Sequence, residues 1–170
     1  MKLFILSYLS KVKSGDSENL EALGAKKYWH LLFDEFTRDQ KKQDPRNIAL
    51  NYGYSIVRGA VARSLVSYGL LPTFGVFHHS EVNAYNLADD MIEPLRPMVD
   101  MVVKKLELVD ELDLDLGLSV KTALLNVLVM QMQMGDEDVT VLNVCDMMAQ
   151  TLVKAIKLNS VDGLKLPSLI

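Results

Sequence analysis

The chain has 170 residues, 49% hydrophobic and 24% charged, with a formal net charge of −4, which suits one folded domain with a real core and excludes a disordered chain. A single cysteine, Cys145, excludes an internal disulfide framework, suits a reducing cytosol and sits in an apolar pattern as an inert core thiol. The longest apolar runs fall short of the roughly 20 residues a membrane span needs, and the start MKLFILSYLS lacks a small-residue cleavage site.

Residues 2–12 are apolar, then basic, and read as a helix that KSGDSEN (13–19) breaks, with Asp16 or Ser17 as the next N-cap. A helix is expected over about 18–36. On it Glu21, Ala25, Tyr28 and Leu32 follow helical spacing, so Glu21 is the one acid on an otherwise small or apolar stripe. A carboxylate on an inward stripe is costly unless it is paired or binds a cation. RDQKKQDPR (38–46) reads as a loop. A long helix is expected from about Asn47 to Tyr68, with Ala49, Tyr52, Ile56, Gly59 and Arg63 along one side. Its small residues Ser55, Gly59, Ala60 and Ala62 would let a neighbouring helix approach. Arg58 and Arg63 are five apart and share a face poorly, so at least one points at something other than solvent.

Gly69, Pro72 and Gly75 force a connection. A helix then starts near residues 82–85 and runs through Met91. Pro94 interrupts it, because proline lacks an N–H and crowds the carbonyl four residues back. The helical pattern resumes to about Asp110, the acidic run DELDLD (110–115) turns, and Ser119 caps a helix of about 119–133. MGDED separates that from a last helix of about 138–158. The tail from about residue 159 reads as extended, either frayed or docked on the body. No repeat and no convincing strand pair emerges. The class is all-α, a single multi-helix domain over residues 1–170.

The densest chemistry lies in HHSEVNAYNLADDMIEPLRP (78–97). Asp90, Glu93 and Arg96 are three residues apart in turn, so they share a helix face. They read either as a surface ladder or as part of a cation site, since like charges at that spacing repel without a cation near them. His78 and His79 match no HExxH pattern, and the chain has no glycine-rich phosphate loop and no Cys–His pair. An imidazole with carboxylates from separate elements suits Mn²⁺ or Mg²⁺ and phosphodiester chemistry. Charge is unevenly spread. Residues 1–63 hold 11 basic and 7 acidic side chains, and residues 64–170 hold 7 and 15. That fits a localised anion-binding face and fits ordinary solvated helices equally.

Three segments, NLEALGAKKYW (19–29), ALNYGYSIVRGAVARSLVSYGLLPTFGVFHH (49–79) and NAYNLADDMIEPLRPMVD (83–100), closely resemble the CRISPR-associated spacer-acquisition integrase, in its type II flavour. The resemblance covers about residues 13–155. It implies an α-helical catalytic domain holding Mg²⁺ or Mn²⁺ through Glu21, His78 and Glu93, with Asp90 as a supporting acid. His78, not His79, is the histidine it selects, fifteen positions before Glu93. It further implies transesterification, a 3′-hydroxyl of foreign DNA attacking a phosphodiester at the CRISPR repeat. Arg58, Arg63 and Arg96 become candidates for phosphate contacts and Tyr28 for a place near the metal. Structural pairing of an arginine with Asp89 or Asp100 is the competing reading. The implied partners are double-stranded DNA, a small second adaptation protein and a second copy of the chain. The family's N-terminal β domain is absent before residue 13, so a catalytically silent assembly module is the alternative, in a prokaryotic cytoplasm either way. A carboxylate-bridged helical bundle is disfavoured, because the sequence lacks Glu-x-x-His.

Overall fold

The computed structural model of the chain describes residues 19–169 and, of residue 21, the backbone alone. It divides between Lys42 and Gln43 into two compact units. The helix expected over residues 2–12 and the caps Asp16 and Ser17 lie outside the described residues.

In the first unit, helix α1 spans Leu20–Leu32. It stops four residues before its expected end because Phe33 turns extended, at φ −128° and ψ 135°. The turn brings Phe36 back onto Trp29 and Phe33, with ring centroids 5.5 and 5.0 Å apart, and both phenylalanines are buried. Aromatic packing of this kind outweighs continuing a helix by one turn. The expected inward stripe is not a buried face: Ala25 is exposed, and Tyr28 and Leu32 are half-buried.

The second unit is organised around α2, Pro45–Ser67. Asp44 caps it by accepting the Arg46 N–H at 2.9 Å, and Pro45 fills the first helical position, where a missing N–H costs nothing. The Asp-Pro pair thus starts the helix two residues ahead of expectation. Leu50, Tyr54, Val57, Val61 and Leu65 form its buried stripe at helical spacing. Four helices pack on α2: α3 (Asn86–Ile92), α4 (Arg96–Leu108), α5 (Leu118–Leu125) and α6 (Val141–Leu158). α4 and α5 approach α2 closely at Gly53, where a Cβ would stand 2.4 Å from Val99 Cγ1 of α4 and 3.2 Å from Leu124 Cδ2 of α5. Ser55 and Gly59, expected to serve this purpose, are exposed.

One strand pair corrects the sequence reading. The α-helix ends at Leu125, a 3₁₀ turn covers Asn126–Val129, and β1 (Gln131–Met134) pairs antiparallel with β2 (Glu137–Thr140). Gly135, at φ 68°, takes the first position of the two-residue turn, where a positive φ suits the twist of a tight hairpin. Met132 and Met134 are buried and Gln131 and Gln133 exposed, a period of two that a helix does not have. Thr140 then caps α6, and Gly117, not Ser119, holds the N-cap of α5. The tail docks: Gln133 and Ser168 exchange two backbone hydrogen bonds at 3.0 and 2.9 Å. Cys145 is buried in α6. Loss of hydration, then the Asp146 carboxylate, pushes its thiol up to about 12, so it stays protonated and inert. The other regular elements among the described residues are all helices, as the all-α expectation has it, and no helix among them is long and apolar enough to cross a membrane.

Asp44 provides a test of how α2 is anchored. The Arg46 side chain bonds its carboxylate and outweighs the opposing effect of burial, so the carboxyl sits below its ordinary range; Arg46 also reaches Glu107 of α4 at 3.2 Å. Asp44→Ala is expected to lower urea-measured stability at neutral pH by about 1 kcal/mol. Because the folded pKa is depressed, this contribution is present above the unfolded value near 3.8 and is lost as pH falls through the folded one. Wild type and variant should therefore converge in acid. A gap that persists unchanged in strong acid would exclude the charge as its source.

Candidate active site around His78

The connection from α2 to α3, residues 69–85, carries no regular structure, yet it is held at many points. Two α3 side chains four residues apart, and so on one face, do most of the holding. Asn86, buried in the first turn, donates from its amide to the carbonyls of Thr73 at 3.0 Å and Ser80 at 2.8 Å. Its oxygen accepts the Ser80 N–H at 3.3 Å and the Asn83 side-chain amide at 3.1 Å. Asp90, one turn on, accepts three successive backbone N–H groups: Val76 at 2.5 Å, Phe77 at 3.1 Å and His78 at 3.1 Å. Its Oδ1 also lies 2.6 Å from His78 Nδ1.

This turn closes only around a glycine. A Cβ on Gly75 would stand 2.2 Å from the His78 carbonyl oxygen, 2.9 Å from Asn86 Cβ and 3.0 Å from Asp90 Oδ2. The first of these is a backbone atom, which cannot swing aside.

Burial raises the Asp90 pKa, but the bonds from the Phe77 N–H, the His78 ring and N–H, and the Val76 N–H together outweigh it. The carboxyl therefore sits below its ordinary range. An ionised carboxylate only accepts, so Nδ1 of His78 carries a proton, and in the neutral ring the lone pair then lies on Nε2. The imidazole is about two-fifths exposed, and a carboxylate behind a histidine in this way fixes the tautomer and ring direction of a metal ligand. Asp90 is thus the residue that positions His78. It does not continue a surface ladder with Glu93, as spacing alone allowed. His79, next in sequence, is exposed.

Pro94 acts where expected. The α-helix ends at Ile92, and Glu93, Pro94 and Leu95 form a tighter 3₁₀ turn before α4 begins at Arg96. Glu93, half-exposed on this turn, accepts from Arg96 Nε at 2.8 Å. The Arg96 guanidinium lies over the Tyr54 ring, 4.7 Å from its centre, and the Tyr54 hydroxyl donates to buried Asp100. Arg58 stands 3.6 Å from Asp89 and 4.9 Å from the centre of the Tyr85 ring, so the pairing with Asp89 weighed from sequence is present. Arg63 is exposed on α2.

The other two sequence candidates belong to the first unit. Glu21 lies in the first turn of α1, and its side chain is outside the described residues. Tyr28 is half-buried, edge-on to Trp29 with centroids 5.1 Å apart. Among the described side chains no three His, Cys, Asp or Glu gather as a complete metal site; His78 Nε2 and the Glu93 carboxylate are chemically fit to be two of its ligands. Asn86 was not singled out from sequence, and Gly75 only as a residue that forces a connection. The readable signal was an Asn and an Asp four apart at the start of a helix, behind a glycine-punctuated loop.

A family model described as CRISPR associated protein Cas1 matches residues 11–114. The CRISPR-associated endonuclease Cas1 of Neisseria meningitidis serogroup C (strain 8013) is 40% identical over 162 residues, covering 95% of this chain and 53% of that protein. The CRISPR-associated endonuclease Cas1 2 of Pyrobaculum aerophilum is 38% identical over 102 residues, 58% of this chain and 34% of that one. In fold the chain is similar to a casposase bound to integration product. That likeness has a TM-score of 0.76 at 21% identity and covers 93% of this chain and 55% of the casposase. The chain belongs to the CRISPR-associated Cas1 family. It spans about half the length of the Neisseria relative.

Replacing Asp90 by Ala strips an acceptor from three N–H groups and a ring. It is expected to cost about 1–3 kcal/mol and to speed hydrogen exchange at residues 76–78. Gly75→Ala should open the same amides. Glu93→Ala, on an exposed side chain, should stay within about 0.5 kcal/mol of wild type. Unchanged exchange at 76–78 in both loop variants would contradict the clamp.

Proposed function

We propose that this chain is the DNA-processing part of a CRISPR-adaptation nuclease and integrase, which joins 3′-hydroxyl ends of foreign DNA to the CRISPR repeat by transesterification. The observation that carries the reading is the Asp90 clamp. It holds the His78 ring through Nδ1 and leaves Nε2 for a ligand's role, within the segment matched by the family model. The names of the relatives, an endonuclease and a casposase bound to integration product, point to phosphodiester chemistry on DNA.

In this reading Glu21, His78 and Glu93 hold one Mg²⁺ or Mn²⁺. When bound, such an ion polarises the scissile phosphate and stabilises the departing oxygen. The rest falls to the chain's own residues. Asp90 keeps the proton on Nδ1 and the ring in place, so no rotamer search precedes binding. Arg96, stacked on Tyr54 and bonded to Glu93, limits where that carboxylate can swing. Arg58 and Arg96 are each braced by a ring and a carboxylate, leaving part of each guanidinium facing out toward phosphate oxygens. Arg63 is more open still. Tyr28 would stand with Glu21 on α1. The partners of this reading are duplex DNA, the small second adaptation protein and a second copy of the chain.

Cleavage of a branched DNA substrate, together with Mn²⁺ titration, tests it. His78→Ala, Glu93→Ala and Glu21→Ala should each lose about a hundredfold or more in cleavage rate and weaken Mn²⁺ binding, while His79→Ala retains both. Full cleavage in Glu21→Ala would sink the ligand assignment. A wild-type chain that binds DNA but neither binds Mn²⁺ nor cleaves would favour the silent assembly module.

A further inference from the structure

Three lysines distant from the His78 loop in sequence meet on one groove. Lys154 and Lys157 lie on the last turns of α6, Lys165 on the docked tail, and Thr151 and Tyr68 line the same groove, of about 680 Å³. The convergence is built by the tail. Asn159, at φ 50°, turns the chain off α6. Gly163 then lies so close that a Cβ would be 2.7 Å from Ala155 Cα and 3.2 Å from the Lys154 carbonyl carbon. The Lys165 N–H donates to Thr151 Oγ1 at 3.2 Å, and the bridge to Gln133 pins the chain three residues on. All three lysines are exposed, and none is in an ion pair among the described residues. The nearest acid in sequence, Asp162, takes its hydrogen bond from the Ser160 hydroxyl.

A lysine in the last turn of a helix offsets the partial negative charge of its free carbonyls, and Lys157 fits that role. Lys154 stands a turn earlier and Lys165 is on another segment, so neither is explained that way. The groove also lacks what a small phosphate wants. It has no arginine fork, and the α6 end beside it offers carbonyls where N–H groups would be needed. A line of separated point charges suits an extended polyanion instead. Lys154 and Lys157 are about 4.5 Å apart along the helix axis. Phosphates along one DNA strand advance by about 3.4 Å. On a chain of net charge −4, such a groove is a local exception to general repulsion of DNA.

We propose that Lys154, Lys157 and Lys165 hold the phosphate backbone of duplex DNA, as a sequence-independent contact that shares no residue with the His78 loop. The proposal rests on the reading of the chain as DNA-processing. The test is binding of a fluorescently labelled duplex across a salt series, for wild type and the triple variant Lys154→Gln, Lys157→Gln, Lys165→Gln. Each neutralised phosphate contributes about 0.9 to the slope of log affinity against log salt, so the triple variant should be shallower by about 2.7 and weaker at low salt. The same slope and affinity in both proteins would overturn the groove alone, with the His78 reading judged separately by cleavage. A wild-type chain that binds no duplex at any salt would overturn both. Loss of self-association in the triple variant, with DNA binding intact, would assign the groove to the acidic 110–115 run of a second copy and overturn it too.

Discussion

The Asp90 carboxylate is the contact on which the candidate site depends. Four donors from one short turn converge on it, three of them consecutive backbone N–H groups. A loop without secondary structure has no ladder to satisfy its amides and loses conformational entropy when ordered. Here one part-buried acid supplies the missing acceptors and bonds the Nδ1 side of a histidine ring in the same step. The arrangement needs Gly75, because nothing with a Cβ fits between the His78 carbonyl and Asp90. It also needs Asn86, which ties both flanks of the turn to the same helix face. Rigidity at His78 is thus borrowed from α3.

That helix is in turn placed by α2. Gly53 lets α4 and α5 settle against the middle of α2, and Tyr54, the next residue, reaches Asp100 while its ring lies beneath Arg96. Arg96 holds Glu93 at the junction of α3 and α4. A buried acid is expensive unless it is bonded, and Asp100 is bonded. The two ends of the α3 segment are therefore fixed by different means, a loop clamp at Asp90 and an arginine stacked on a core tyrosine at Glu93. Pro94 supplies the tightened turn between them and so sets the direction in which the Glu93 carboxylate leaves the helix.

Much of this was legible in the sequence where a residue type has only one cheap solution. Pro94 announced a helix break, and Gly69, Pro72 and Gly75 the connection after α2; the Asp44-Pro45 helix start was read as loop, and of the side expected along Ala49, Tyr52, Ile56, Gly59 and Arg63 only Ala49 is buried. The resemblance pointed to His78, and it is the His78 ring that Asp90 bonds while His79 is exposed. What sequence spacing could not give was direction. Asp90, Glu93 and Arg96 share a face in an ideal helix, yet Asp90 turns to the preceding loop and Glu93 to Arg96. The hairpin was missed because Met-Gln-Met after a helical run was read with the helix period, although its alternation of two was present. The end of α1 was missed because an aromatic cluster, a tertiary contact, overrode local preference. The lysine groove was invisible because its members meet only when Gly163 lets the tail lie on α6.

The central claim is that Asp90 presents His78 through a bare Nε2, and ¹⁵N NMR of histidine-labelled chain at neutral pH reads it directly. The account requires His78 as the Nδ1–H tautomer, with its Nε2 signal broadened first as Mn²⁺ is added and the His79 signals left sharp. An Nε2–H tautomer for His78, or equal broadening of both histidines, would contradict it.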